Sequence, residues 1–331
     1  MIDKLKENWF VVLVAVLLFG ACGYFVYDMN KDKLPGKKAD GKDVVAELAG
    51  TNIFADDLYD DLYGAVDSES SLGTSMLYMY FERAVADEAV PMTSELKSQI
   101  SAQVSGVRQN YQAYYGDQWE TYLLQGLQAS GYTSIDDLEA YFTHYLKLQT
   151  LKHENYDANL DSLFSKIHEE KKSRTVSHIL VKMTDPDNPT EEEQKKMDDI
   201  DAALAAGTDF AEVAKQFSDD STASAGGALG YVDSDTSFVT AFKEAALSQE
   251  KGTVGDWVQT EYGRHKILVT ETDKAALEAD ESIRESLYTA IDSYYPEMGA
   301  KIVWDKAQEL NVTFSDPKIE EALKAYMNIT E

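Results

Sequence analysis

One cysteine in 331 residues, Cys22, leaves no partner for an internal disulfide and no Cys-based zinc site, so packing has to hold together whatever folds here. Basic residues are scarce as well: 30 Lys and Arg against 59 Asp and Glu give a formal charge of −29. That balance argues against nucleic acid and against docking on an anionic bilayer, both of which need basic patches. Basic or neutral polypeptides stay plausible as partners. The five histidines form no ligand-spaced cluster, so no metal site is expected, and no cofactor either. Long apolar runs are rare, and the exception is residues 9–27.

Residues 9–27 are uncharged and mostly apolar, and as a helix they would reach about 28 Å, close to the hydrocarbon thickness of a bilayer. The segment is expected to enter a membrane. Lys4 and Lys6 before it are opposed by Asp3 and Glu7, while five lysines follow between Lys31 and Lys42, so charge bias orients it poorly. Phe19-Gly-Ala-Cys22 is similar to a bacterial lipoprotein cleavage box, which makes Cys22 a lipidation candidate. Phe19 stands where Leu is usual, however, and the apolar run continues through Tyr24, Phe25 and Val26. An uncleaved anchor helix and a lipid anchor both stay open for residues 1–27.

Residues 28–43 are polar, carry Pro35 and two glycines, and read as a solvated linker. Residues 44–48 suggest a short strand, residues 50–52 a turn and residues 55–63 a helix. Helical apolar spacing then dominates to about Lys172, as in Leu138, Tyr141, Phe142 and Tyr145, and Ser134 with Asp137 marks a helix start. After Thr270 the pattern is helical again, with Ile283, Leu287 and Ile291 spaced by four. Neither flank looks able to bury its apolar face alone. At this length two or three units are expected. The 20 tyrosines and the methionines of the first flank suit either a bundle core or an adaptable surface for apolar peptides.

Between the flanks, roughly a hundred residues open with Val176-Ser-His-Ile-Leu-Val181 and close with Tyr262-Gly-Arg-His-Lys-Ile-Leu-Val269. Each end is a β-branched strand pattern carrying one histidine. Thr190 and Glu193 have capping-box spacing, so a helix should start at Glu191 and end near Gly207. Asp209 can cap a second helix with Phe210, Val213, Ala214 and Phe217 on one face. A long polar loop, residues 218–227, should follow. Strands are then expected at residues 230–232, 256–259 and 264–270, and a helix at residues 238–247.

This ordered set resembles the parvulin family of peptidyl-prolyl isomerases. The resemblance implies an α+β fold, a four-stranded antiparallel sheet with surrounding helices over residues 174–271. It also implies rotation about X-Pro bonds as the chemistry, a reaction whose barrier is about 18 to 20 kcal/mol and in which no bond is made or broken. By the same resemblance Leu229, Phe238 and Phe242 match the prolyl pocket, with the two phenylalanines on one helix face. His178 and His265 match the paired histidines of neighbouring central strands, and Thr260 their hydroxyl partner. Whether that network is structural or acts electrostatically is left open. Asp220 falls where the family carries Asp or Cys beside the substrate carbonyl, and Gln259 and Tyr262 are expected to flank the same mouth. Ala228 departs from the polar residue many parvulins carry there. No basic cluster precedes the pocket, so unphosphorylated, extended clients are expected.

The wider order, with helical segment (44–172), isomerase-like domain and C-terminal helical return (276–327), resembles the PrsA foldase lipoproteins and more distantly the SurA chaperones. That resemblance implies a C-terminal segment packed back on the N-terminal one as a mainly helical, chaperone-like domain, with the isomerase-like domain inserted. Residues 312–314 would then pair with residues 44–48. It further implies secreted, proline-containing polypeptides in unfolded or partly folded form as partners, and a place at the membrane with the folded domains extracytoplasmic. A homodimer is left open. Two functions compete: an isomerase with holdase activity from the helical domain, and a non-catalytic chaperone using the parvulin-like domain as scaffold.

Overall fold

The computed structural model describes residues 37–39, 42–48, 51–54 and 72–329. Its strands are β1 (Lys37–Ala39), β2 (Lys42–Leu48), β3 (Thr51–Phe54), β4 (Arg174–Lys182), β5 (Ala228–Val232), β6 (Val258–Thr260) and β7 (Gly263–Glu271). Its α-helices are α1 (Leu72–Ala89), α2 (Ser94–Tyr115), α3 (Trp119–Ala129), α4 (Leu138–Lys171), α5 (Glu191–Ala205) and α6 (Phe210–Phe217), then α7 (Thr240–Ser248), α8 (Lys274–Ala279), α9 (Arg284–Tyr294), α10 (Met298–Glu309) and α11 (Pro317–Tyr326). The chain divides into two compact units, Met1–Phe81 with Thr313–Glu331, and Glu82–Val312. The membrane segment expected at residues 9–27 and the helix expected at residues 55–63 lie outside the described residues. None of the described helices is long and apolar enough to cross a membrane.

In the first unit β1, β2 and β3 form an antiparallel sheet in that order. Two expectations change. The linker expected at residues 28–43 contributes β1, and β3 begins at Thr51, inside the expected turn. β2 pairs with β1 along Lys42–Val44 and with β3 along Val44–Leu48, while residues 312–314, expected to pair with it, form no strand. Asn311 takes a left-handed conformation (φ 57°) and Val312 N–H donates to Ala307 O at 3.0 Å, which closes the end of α10 instead. The Phe314 ring lies 6.1 Å from that of Phe81.

In the second unit α4 is the long axis. Ser134 and Asp137 form both halves of a capping box at its entry, and Lys172 ends it at φ 58°. Tyr156 and Phe164 are fully buried along it. The C-terminal helix α9 is stitched to α4 by two reciprocal bonds: Tyr156 OH donates to Asp292 Oδ1 (2.6 Å) and Tyr288 OH donates to Asp157 Oδ1 (2.7 Å). Burial first, then the carboxylate partner, pushes the Tyr156 hydroxyl far above its ordinary pKa, so the phenol keeps its proton and the bond its direction.

The same unit carries the four-stranded antiparallel sheet, in the order β5-β4-β7-β6. Alternation along β4 sends Ile179 and Val181 to one face, where Met197 and Ile200 of α5 and Phe210 and Val213 of α6 cover them. Val176 points to the other face, where Ile267 and Val269 of β7 meet Phe242 and Ala246 of α7. Local signals start the helices where the sequence placed them. Thr190 and Glu193 form the full capping box of α5, Asp209 accepts from the N–H groups of Ala211 and Glu212 to start α6, and Gly207 ends the turn between them at φ +83°. One start differs, because α7 begins at Thr240. Phe238 lies in the preceding turn, where its N–H donates to Thr236 O at 2.8 Å.

Candidate active site

His178 shares the face of Val176, two residues on, and His265 shares the face of Ile267 and Val269. In the β4–β7 register His178 stands opposite Ile267 and His265 opposite Leu180, so the two imidazoles are diagonal neighbours. Their Nδ1 atoms are 3.2 Å apart, and the rings lie nearly parallel with centroids 5.4 Å apart. Thr260 Oγ1, on β6, is 2.8 Å from His265 Nε2. At the other end His178 Nε2 is 3.3 Å from Asp220 Oδ1, within ion-pair range but not aligned as a hydrogen bond.

Hydrogen-bond logic gives this chain a direction. Both imidazoles are buried, and desolvation lowers the pKa of each; for His265, with His178 beside it, the value falls to about 4. Both are therefore neutral near pH 7, with one N–H each. If His265 Nε2 carried the proton, His178 Nδ1–H would have to donate, and a bare Nε2 lone pair would face the Asp220 carboxylate. The opposite sense gives His265 both its bonds and turns a proton rather than a lone pair of His178 toward the carboxylate. Thr260 O–H donates to His265 Nε2, His265 Nδ1–H donates to His178 Nδ1, and His178 Nε2–H faces Asp220. Thr260 Oγ1 in turn accepts from Tyr262 N–H at 3.2 Å.

Asp220 is held by the loop that covers the free edge of β4. Beyond Ser177 that edge has lost β5 as its partner. The loop replaces it: His178 N–H donates to Gly227 O (2.8 Å), Leu180 N–H to Ser218 Oγ (3.1 Å) and Lys182 N–H to Asp219 Oδ2 (3.0 Å), while Asp219 N–H donates to Leu180 O (2.8 Å). Lys196 Nζ of α5 pins Asp219 Oδ1 at 2.5 Å. Gly227, at φ +77°, is required because a Cβ there would lie 2.0 Å from His178 O. The stretch expected as open loop contains a 3₁₀ turn, Ser221–Ala225, started by Asp220 itself, whose Oδ1 accepts from the N–H and hydroxyl of Thr222 (2.8 and 2.6 Å). Burial works to raise the pKa of Asp220, but the Thr222 donors and His178 outweigh it, and the carboxyl sits below its ordinary range. Its second oxygen, Oδ2, accepts no hydrogen bond from the described residues.

That oxygen belongs to a residue lining a cavity of about 430 Å³, which also takes in His178, His265, Leu229, Phe238, Phe242 and Tyr262. The Phe242 ring is the floor. It meets His178, His265 and Phe238 edge-on, with centroids 5.5, 5.2 and 5.1 Å away. So the two phenylalanines meet although only one is helical, because the turn before α7 delivers Phe238 to the same side. The apolar floor, the neutral imidazoles and the unengaged oxygen of Asp220 can take a saturated ring and place a fixed negative charge beside it.

Of the residues expected at the site, Gln259 is not brought to this cavity. It neighbours Thr260 on β6, and alternation turns it to the opposite side, where Gln259 Nε2 donates to Asp187 Oδ1 (2.6 Å) and Gln259 Oε1 accepts from Arg264 (3.4 Å). Tyr262 is at the mouth and half exposed. Residues not singled out from the sequence also line the cavity: Leu180, Lys182, Asp219, Ser237 and Val239. Leu180 was open to the same reading as His178, since it lies two residues on in the same strand; Asp219 and Val239 have no such local signal.

Residues 162–273 match the family described as the PPIC-type PPIASE domain. The chain is 27% identical over 240 residues to the foldase protein PrsA of Geobacillus kaustophilus, covering 71% of this chain and 73% of that one. It is 27% identical over 323 residues to foldase protein PrsA 2 of Listeria innocua, covering 96% and 94%. Among solved structures, PrsA from Bacillus subtilis aligns over 85% of this chain and 98% of its own, with a TM-score of 0.44 at 21% identity.

Proposed function

We propose that this chain, which carries a parvulin-type peptidyl-prolyl cis-trans isomerase domain, acts as a foldase that turns X-Pro bonds in unphosphorylated, unfolded or partly folded secreted polypeptides. The observation that carries the catalytic part is the Asp220 carboxylate, ionised, with Oδ2 unengaged at the wall of the cavity floored by Phe242. The proline ring packs against Phe242, Phe238 and Leu229. The twisted amide differs from either planar form in having lost its resonance, so the ring nitrogen keeps its lone pair and the carbonyl no longer receives electron density from it. A fixed carboxylate and a dry wall can favour that charge distribution without forming a covalent bond. His178, His265 and Thr260 act on the reaction through Asp220: their directed chain ends in an N–H aimed at its Oδ1 and so sets where the charge sits.

The experiment is proline-limited refolding of a client protein with catalytic amounts of the full-length chain. Asp220→Ala should lower kcat/KM about 100-fold, as loss of a group acting on transition-state charge does elsewhere. It should also cost about 0.5 to 2 kcal/mol of stability, because Asp220 caps the 3₁₀ turn through Thr222, so the rates are compared on folded protein. Equal acceleration by wild type and variant sinks the role of Asp220. No acceleration by wild type turns the reading to a non-catalytic chaperone.

The rest of the proposal concerns placement. The helical flanks, with α9 and α10 against α4, form one chaperone-like domain with holdase activity, and residues 1–27 tether the folded part to the outer face of a membrane, by helix or through lipid on Cys22. Similarity to the PrsA proteins supports this reading. Suppression of client aggregation should survive in Asp220→Ala. Cys22→Ser should leave the chain in the membrane fraction and its processing unchanged if the helix is the anchor, and should block processing and remove a lipid label if lipid is. A homodimer stays open to a sedimentation measurement.

A further inference from the structure

A second cavity, of about 260 Å³, lies on the far side of the loop that carries Phe238. Tyr231, Asp235 and Thr236 line one wall, and Ala290, Ser293 and Tyr294 of α9 line the other. The two cavities follow each other along the same short segments. Leu229 lines the prolyl cavity and Tyr231 the second one, and Ser237 lines the prolyl cavity while Thr236 lines the second. An extended polypeptide advances about 3.3 Å per residue, so a chain with its proline against Phe238 crosses this loop within roughly two to five residues.

The volume is below the roughly 300 to 1,000 Å³ of a small-molecule pocket, and suits a side chain better than a free ligand. The lining selects which. Asp233 is buried, its Oδ1 accepting from Thr236 N–H (3.0 Å) and Asp235 N–H (2.8 Å) and its Oδ2 from Tyr231 OH (3.0 Å). Asp235 is half exposed and holds Lys171 Nζ at 3.0 Å, and that ammonium also lies 5.8 Å from the centre of the Tyr294 ring. Among the charged groups lining the cavity Asp233 and Asp235 outnumber Lys171, which leaves a net negative charge, while the Tyr294 ring already holds Lys171 and Lys166 at 5.8 and 5.6 Å, so Asp235 rather than the ring is what a further cation meets. We infer that this cavity is a second subsite for the same client chain, taking a lysine or arginine side chain a few residues from the proline being turned. The inference rests on the isomerase reading above, and it makes the helix α9 part of client recognition by the isomerase domain.

The test compares three proline peptides with the full-length protein: a short blocked tetrapeptide, the same core extended on both sides with lysines three residues from the proline, and its glutamate counterpart. At low salt the lysine peptide should show kcat/KM about tenfold above the glutamate one, a difference worth about 1.4 kcal/mol. Asp235→Lys should invert that preference, and Ala290→Trp, which fills the cavity, should erase it. Both variants should turn over the short peptide within about twofold of wild type. Equal turnover of the two extended peptides by wild type overturns the subsite and leaves the isomerase reading standing, as does a preference that Asp235→Lys does not change. Failure of wild type on the short peptide overturns both. If Ala290→Trp does not fold, the charge reversal at the exposed Asp235 decides alone.

Discussion

Two polar networks in the same unit are built from similar parts and end differently. Along the α4–α9 seam, Tyr156 and Tyr288 each donate to a part-exposed carboxylate on the opposite helix and Lys152 Nζ adds a contact to Asp292 at 2.7 Å, so each phenol and each carboxylate is engaged across the seam. In the sheet, Thr260, His265 and His178 pass hydrogen bonds in one direction and deliver the last N–H to Asp220, whose other oxygen is unengaged beside a cavity. A network whose members satisfy one another completely fixes two elements in place. One that runs to an unengaged charge at a cavity wall has something left to give a ligand. The comparison separates structural from chemical use of buried polarity on the basis of where the network stops.

The largest expected effect strikes both uses together. Phe242 touches both histidines and is 4% exposed, so Phe242→Ala should cost about 3 to 5 kcal/mol of stability, read by denaturant melts, and should raise KM for proline peptides in the fraction that folds. A variant that loses stability but not peptide affinity would remove Phe242 from the pocket. On the seam, Tyr156→Phe removes one hydrogen bond to a charged group and should cost about 1.5 to 3 kcal/mol, with kcat/KM unchanged. A change in kcat/KM at full folding would blur the line drawn between the two networks.

The pH dependence belongs to the sheet network. Both histidines have folded pKa values below the unfolded value near 6.5, so the unfolded chain binds protons first as pH falls. Stability is therefore complete above about pH 6.5 and is lost as pH drops toward 4, with His265 alone accounting for on the order of 2 kcal/mol by pH 5. Asp220, also lowered, adds a loss below about pH 4. Chemical denaturation at pH 7 and pH 5 reads the first effect, and His265→Asn should flatten it. Nitrogen NMR at pH 5.5 should still show a neutral His265 ring protonated at Nδ1; protonation at Nε2 would reverse the direction assigned to the chain. The smallest effect is at Gln259, whose replacement by Ala should leave kcat/KM within about twofold of wild type and stability within about 0.5 kcal/mol.

The sequence by itself determined what is decided within a few residues. Thr190 with Glu193, Asp209 and Ser134 with Asp137 start their helices because a side chain reaching the N–H two or three positions on needs nothing from the rest of the chain. Alternation likewise put His178 with Val176, and His265 with Ile267 and Val269, on one face of their strands. Tertiary structure decided whatever depends on a partner far along the chain. Alternation turns Gln259 away from Thr260, but its partners on that side, Asp187 and Arg264, were settled by the fold. The grip of the loop on β4 was settled by contacts from Asp219 to Lys182 and Lys196, across gaps no local pattern encodes. Residues 312–314 have the composition of a strand, yet β2 took β1 and β3 as its partners and Val312 N–H turned back to close the end of α10, because strand propensity acts only where a partner strand is supplied.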